Sequence, residues 1–256
     1  QNANIRDQVD KTDQYMMSLA DLKGLRAKII CAVSAKTFNE DAISLIRNMD
    51  TMALIPTEIM NSAKLNQILE AILALGNFLN SGTGRGGAHG FKLEALAMLS
   101  SVKDSKGDTL LDYIVRYHLE NKPGVLPMTD MPTLQRSADL SLEGIAESVQ
   151  HLIDNVTNAT AQVGSIGNDP VLANFKKEME VFAGDAAKVK DEVVTLKNVM
   201  TENLQLLMGH LGERNKAARG RQEDTMRMLR EFNAEIEAVL KKESDKKAVK
   251  AKKGAK

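Results

Sequence analysis

Between Leu172 and Met200, nine apolar residues follow one another at steps of three and four: Leu172, Phe175, Met179, Phe182, Ala186, Val189, Val193, Leu196 and Met200. Only an α-helix brings that spacing to one side of the chain, and so regular a stripe is a seam facing other helices, as in a bundle or coiled coil. A second run, Ala138, Leu142, Ile145, Val149, Leu152, Val156, Ala159 and Val163, keeps nearly the same period. Gly164 and Gly167 separate the two, and Asp169-Pro170 opens the second with an N-cap and a proline at the first helical position. Aromatics make up 4% of the chain and Trp is absent, while Leu, Ala, Met, Lys and Glu abound. The expected fold is therefore all-α, an elongated multi-helix bundle with long heptad-patterned helices.

The rest of the chain is also read as helical. One helix is expected from about Asp7 to Leu22, ending at Gly24, a second over Leu25 to Val33 and a third over Glu40 to Met52. Leu65, Ile68, Leu69, Ile72, Leu75 and Leu79 then form a broad stripe with Ser62 as N-cap, and Asn80-Ser81-Gly82 stops it. A glycine-rich loop from Gly82 to Gly90 leads to helices over Lys92–Ser100 and Thr109–Asn121, before Pro123 and Gly124. The last helix is expected over Gln222–Leu240, with Leu229, Phe232, Ile236 and Val239 on one face. Beyond it, residues 241–256 carry eight Lys against Glu243 and Asp245, a balance of +6 that leaves −6 on the remainder, because the whole chain is neutral. That end is read as a basic, disordered tail, fit to meet an acidic surface or to keep the chain soluble. Segments 1–60, 61–130, 131–240 and 241–256 are the expected divisions.

Several function classes are excluded. The lone Cys31 lies in an apolar helical run, Ile29 to Val33, and is read as a buried small hydrophobe; one cysteine forms no internal disulfide. No run approaches the roughly 18 apolar residues of a membrane span, and no signal-peptide pattern is read at Gln1, so neither a span nor a leader is expected in these residues. The glycine-rich loop follows a helix rather than a strand and has no Gly-Lys-Ser/Thr closure, so nucleotide binding is not expected. His89, His118, His151 and His210 lack ligand spacing and are read as surface or interface residues, so no metal and no cofactor are expected. With no nucleophile elbow and no zinc-protease pair either, an enzyme is not expected. Nucleic acid is not an expected partner.

The centre of the chain is different. Gly76 costs about 1 kcal/mol of helix propensity against Ala. What it permits is close approach, because a partner's backbone or ring can lie against a helix that has no Cβ there. Asn77 and Asn80 are one turn apart, so their amides share a side and suit an incoming main chain. Frayed-end capping would explain Asn80 but neither Gly76 nor Asn77.

The pattern Gly76-Asn77-Phe78-Leu79-Asn80, a glycine-rich loop, Gly90-Phe91-Lys92-Leu93 with Leu96 and Leu99, then Val102-Lys103-Asp104-Ser105-Lys106 and Thr109 to Tyr113, resembles the central motif of formin homology 2 domains. The four sub-motifs stand in that family's order. The resemblance implies an all-helical, cytoplasmic, cytoskeletal domain that dimerises, nucleates actin filaments and rides on the barbed end. On it, residues 1–60 are similar to a remnant of the knob, 61–130 carry the central motif, and 131–240 hold the coiled-coil and post helices. Gly76, Asn77, Asn80, Gly90 and Phe91 would belong to the post surface that receives the lasso of a second subunit. Lys103 and Lys106 match the family's basic actin contact, and a long, exposed point charge suits actin's acidic surface.

The sequence also departs from that family's full pattern. Tryptophan anchors of a lasso, a linker and the early knob's isoleucine have no counterpart, and Ile5 is not it. A proline-rich segment for profilin and a Met-Asp-x-Leu-Leu motif are missing, and the chain starts at Gln1 rather than Met. The expectation is a piece of a longer protein that binds actin weakly, as a monomer rather than a closed dimer. The rival readings are a helical-bundle scaffold that binds partner helices and a protein that lies on membrane surfaces through its basic tail.

Overall fold

The structure, a computed structural model, describes residues 10–20, 24–164, 166, 172–212 and 221–254; the side chains of residues 18, 20 and 249–254 are excepted. The α-helices are α1 (Lys11–Ala20), α2 (Leu25–Asn61), α3 (Ala63–Leu79), α4 (Leu110–Asn121), α5 (Pro132–Arg136), α6 (Leu142–Val163), α7 (Ala173–His210) and α8 (Arg221–Gly254), with a 3-10 helix at Leu93–Met98. The fold is all-α, as the periodicity requires. The expected limits at Asp7 and Leu22, and the Gly167 and Asp169-Pro170 signals, lie outside the described residues.

Where one helix was expected to end at Val33 and another to begin at Glu40, α2 runs unbroken from Leu25 to Asn61. No glycine or proline interrupts that stretch, and Phe38 within it is buried, its ring 5.5 Å from that of Phe182 in a T-shaped pair. The helix also passes through Pro56 instead of stopping at Met52. An interior proline costs about 3 kcal/mol. Complete burial of Ile55 and Ile59, worth about 2 kcal/mol each, offsets it. On the turn that the proline disturbs, the Asn203 side chain donates to the Ala53 carbonyl at 3.1 Å.

The chain divides into two compact units that are not consecutive in sequence. One comprises Gln1–Asp50 with Leu142–Val199, the other Thr51–Ser141 with Met200–Lys256. These differ from the expected divisions because α2 and α7 continue past the positions where the units change.

In the first unit, α6 buries Ile145, Val149, Leu152, Val156, Ala159 and Val163, all of the predicted stripe within that helix except Leu142, which is half-buried at its start. Ala138 lies outside it and is exposed, since the Ser137 hydroxyl donates to the Leu134 carbonyl and closes α5 there. Along α7, Met179, Ala186 and Val193 are buried in this unit and Met200 in the other, while Phe175, Phe182, Val189 and Leu196, the other half of the heptad, are only half-buried. Cys31 is fully buried with Val163, Ile166 and Met179, and burial raises its thiol pKa, so it is the inert small hydrophobe expected.

In the second unit, α3, the 3-10 helix, α4, α5 and α8 surround Leu65, Ile68, Leu96, Leu111, Leu134, Leu229, Phe232 and Ile236. Helix starts are tied down by side chains. Ser62 caps α3 by accepting from the Leu65 amide, and its hydroxyl donates to Asp130 at 2.9 Å. Glu58 accepts the Thr133 and Leu134 amides at the start of α5. His118, expected at a surface or an interface, is buried within this unit, with Nδ1 2.8 Å from the Ile114 carbonyl. It shares α4's inner face with Leu111, Ile114 and Val115.

The end of the chain also departs from expectation. Residues 241–254 are helical, the continuation of α8, rather than a disordered tail. Ion pairs to α4 hold the first of them, as detailed below.

Candidate functional site

The C-terminal end of α3 and the loop after it form the first part of the site. The Asn80 amide donates to the Gly76 carbonyl at 3.0 Å, and the Asn80 side chain donates to the same oxygen at 2.8 Å. Gly82 and Gly87 adopt φ of +79° and +74°, which only glycine takes without strain. A Cβ on Gly86 would stand 2.7 Å from the Asn80 carbonyl oxygen, so the loop folds back tightly onto the helix end. Asn77 then clamps it: its side-chain nitrogen donates to the Ala88 carbonyl at 2.9 Å, and its oxygen accepts the Ala88 amide at 2.7 Å.

The expectation that Asn77 and Asn80 hold their amides ready for an incoming main chain is thus corrected. Both are engaged within this chain, where the loop backbone would otherwise lack partners. Gly76 behaves otherwise. Nothing lies within 4 Å of where its Cβ would stand, so its bare surface is open.

A groove of about 230 Å³ lies over this end of α3 and brings Gly76, Asn77, Asn80, Gly90 and Phe91 together, with Leu79 and Leu99 among its apolar walls. All five residues singled out for a receiving surface therefore line one depression. Beside it, and sharing Leu75, is a wider apolar groove of about 570 Å³ lined by Phe78, Tyr113, Ile114 and Tyr117. Phe78 is 75% exposed. Sequence reasoning passed over this second groove, although Phe78 lies off the stripe of Leu65, Ile68, Ile72 and Leu79, a legible sign that its ring is not core.

Lys103 and Lys106 occupy a small hairpin between the 3-10 helix and α4. Lys103 pairs with Thr109 in an antiparallel bridge, and Gly107 turns the chain at φ +86°. The Asp104 carboxylate accepts the amides of Lys106 and Asp108 at 2.8 and 2.9 Å, and the Tyr113 hydroxyl at 2.7 Å. These bonds, the tyrosine's first, lower the Asp104 pKa and raise that of Tyr113. Both lysines are exposed, and among the described residues neither makes an ion pair. They are exposed cations on a turn closed by side-chain and backbone hydrogen bonds.

The hairpin's base rests on α4. Thr109 and Asp112 form a capping box, each side chain accepting the other's backbone amide. Asp112 is buried, and burial alone would raise its pKa. The Lys242 ammonium at 2.8 Å, with the Thr109 amide and hydroxyl, outweighs burial and holds it at about 2. Arg116 donates to Asp108 at 2.8 Å and lies 4.7 Å over the Tyr113 ring. Among the described residues no group of His, Cys, Asp and Glu could hold a metal ion, and no helix is long and apolar enough to cross a membrane.

The chain is similar to known proteins along most of its length. The chain is 29% identical to Formin-like protein 14 of Arabidopsis thaliana over 267 residues, 98% of this chain and 21% of that protein. It is 27% identical to Formin-2 of Mus musculus over 190 residues, 70% of this chain and 12% of that protein. It is 28% identical to Protein cappuccino of Drosophila melanogaster over 193 residues, 70% of this chain and 18% of that protein. The chain thus spans about a fifth or less of the length of these relatives. The family model for the Formin Homology 2 Domain matches residues 2–237, nearly all of the chain, and the chain belongs to that family.

Proposed function

We propose that this chain is an actin-binding formin homology 2 domain that, in the intact protein, nucleates actin filaments and processively caps their barbed ends. The observation that carries this reading is the hairpin: two exposed, unpaired lysines are presented on a turn braced by Asp104 and Gly107. Such a turn holds positive charge out towards an acidic surface with little ordering left to do on binding. Actin is the partner, Lys103 and Lys106 are its contacts, and the activity is binding rather than catalysis. The setting is the cytoskeleton.

The groove of Gly76, Asn77, Asn80, Gly90 and Phe91 is the second contact, the receiving surface for the lasso of a second subunit. Its open glycine and apolar walls support that role, as does the neighbouring groove with the outward ring of Phe78. Asn77 and Asn80 serve it by fixing the wall rather than by bonding the partner. Profilin enters only through a proline-rich segment outside these residues.

Co-sedimentation with actin filaments at rising salt tests the first contact. Binding is expected to weaken with salt, and Lys103→Ala with Lys106→Ala should lower it about tenfold while the helical circular dichroism holds. Unchanged binding in the double variant removes the lysines from the site. Absence of any salt-sensitive binding by the parent chain favours a helical scaffold instead.

A further inference from the structure

The family match ends at residue 237, yet α8 runs on to Gly254, and its next turns are bonded to the hairpin's foundations. Lys242 reaches the buried Asp112 at 2.8 Å. Asp112 accepts the amide and hydroxyl of Thr109, and Thr109 is the bridge partner of Lys103. A second line runs beside it. Glu243, itself 8% exposed, takes Lys246 at 2.7 Å and Arg116 at 3.8 Å. Arg116 holds Asp108, whose carbonyl accepts the Asp104 amide across the turn. The second leg of the hairpin, Asp108 and Thr109, is therefore anchored at two points to one turn of helix outside the family-matched region, and the first leg, with Lys103 and Asp104, is held to it by backbone bonds across the hairpin.

We propose that Lys242 and Glu243 are positioning residues: this extension of α8 is a clamp that sets the posture of the hairpin bearing Lys103 and Lys106. A charge-assisted bond to a buried carboxylate is among the stronger local restraints a chain can make. The Lys242 side chain is itself 46% exposed, but its loss leaves Asp112 buried without its cation, whereas loss of a tail lysine that meets no buried carboxylate would change little. The basic end of the chain thus acts first on its own fold, and its effect on a partner passes through the hairpin. The link to binding rests on the actin reading given above; the clamp itself does not.

Hydrogen exchange followed by NMR at the Asp104 and Leu110 amides, both bonded across the hairpin, tests it in the full chain. Lys242→Met should speed exchange there about tenfold and leave the amides of α6 unchanged, while Lys242→Arg should restore the parent rate. Glu243→Gln, which keeps the Lys242–Asp112 bond, should loosen the Asp104 side alone and serves if Lys242→Met does not fold. Unchanged exchange at the hairpin, or an equal rise throughout the chain, overturns the clamp. Filament co-sedimentation of Lys242→Met should fall with the hairpin's protection. If Lys103→Ala with Lys106→Ala leaves co-sedimentation untouched, the actin reading fails while the exchange result still decides the clamp.

Discussion

Substituting Gly86 by alanine would bring a methyl group to 2.7 Å from the Asn80 carbonyl oxygen, and that oxygen is fixed by the Thr83 amide and hydroxyl at 3.0 and 2.8 Å. Neither side can yield easily, so Gly86→Ala should cost about 1–3 kcal/mol, read as a fall in the thermal midpoint. Gly76→Ala should do the opposite. Its methyl meets nothing within 4 Å, and the helix gains about 1 kcal/mol of propensity. If the groove receives a partner, the same methyl obstructs it. Gly76→Ala should then fold more stably yet weaken self-association in sedimentation equilibrium of the intact domain. A variant that is both more stable and equally associated would show that the open face is idle. The two glycines also mark what could be read in advance: Gly76 stands out as a cost inside a stripe, whereas Gly86 is one glycine among several until the loop is folded.

At the scale of elements, α4 has its stability tied to pH through one carboxylate. The folded state holds Asp112 at about 2, below its ordinary value of 3.8. A depressed acid contributes stability above its unfolded pKa and loses it as pH falls through the folded value. The contribution, about 2 kcal/mol, should therefore be complete above roughly pH 5, mostly lost by about pH 2 and gone by about pH 1. Thermal midpoints across that window should fall less in Asp112→Asn than in the parent; equal slopes would mean that another group carries the acid limb. Thr109→Ala, which takes away the cap, should cost about 1 kcal/mol in urea titration.

The cap at Ser62 was legible because residue type and its place just ahead of an apolar stripe specify it, whereas the capping box at Thr109 and Asp112 went unread. The length of α2 was not legible either. Lys36-Thr37-Phe38-Asn39 looks like a gap until Phe38 finds Phe182, 144 positions away, and Pro56 looks like a stop until Ile55 and Ile59 are buried. The helical course of residues 241–254 was hidden for the same reason. Lysine-rich sequence reads as solvated, and only the fold supplies Asp112 and Arg116 to hold its first turn.

On the scale of the whole molecule, the order of residues along the chain is not the order of its compact units. Each unit takes one stretch from the first half of the chain and another from the second, which local periodicity cannot foresee. The seam of α6 and α7 fixed which faces are inside but not which helices meet. A consequence is testable by hydrogen exchange with mass spectrometry. Phe38→Ala removes the partner of Phe182 and should cost about 3–5 kcal/mol, with faster exchange confined to α6, α7 and the first half of α2. Ile59→Ala, about 2–5 kcal/mol, should loosen α3 and α5 instead. If Phe38→Ala loosens α3 and α4 as much as α6, the division does not hold.

The paired bonds between Asn77 and Ala88 have a further consequence, for how much foreign sequence the molecule will carry. They make the segment from Ser81 to Gly87 a closed ring on the end of α3, with Gly84 and Arg85 exposed at its rim. Lengthening a closed ring costs little, about 0.6 kcal/mol for each doubling. An epitope or fluorophore peptide inserted between Gly84 and Arg85 would part the Arg85 and Gly86 amides from Thr83 but leave the two bonds of Asn77 intact, so the groove wall should stand because Asn77 rather than the ring's length holds it in place.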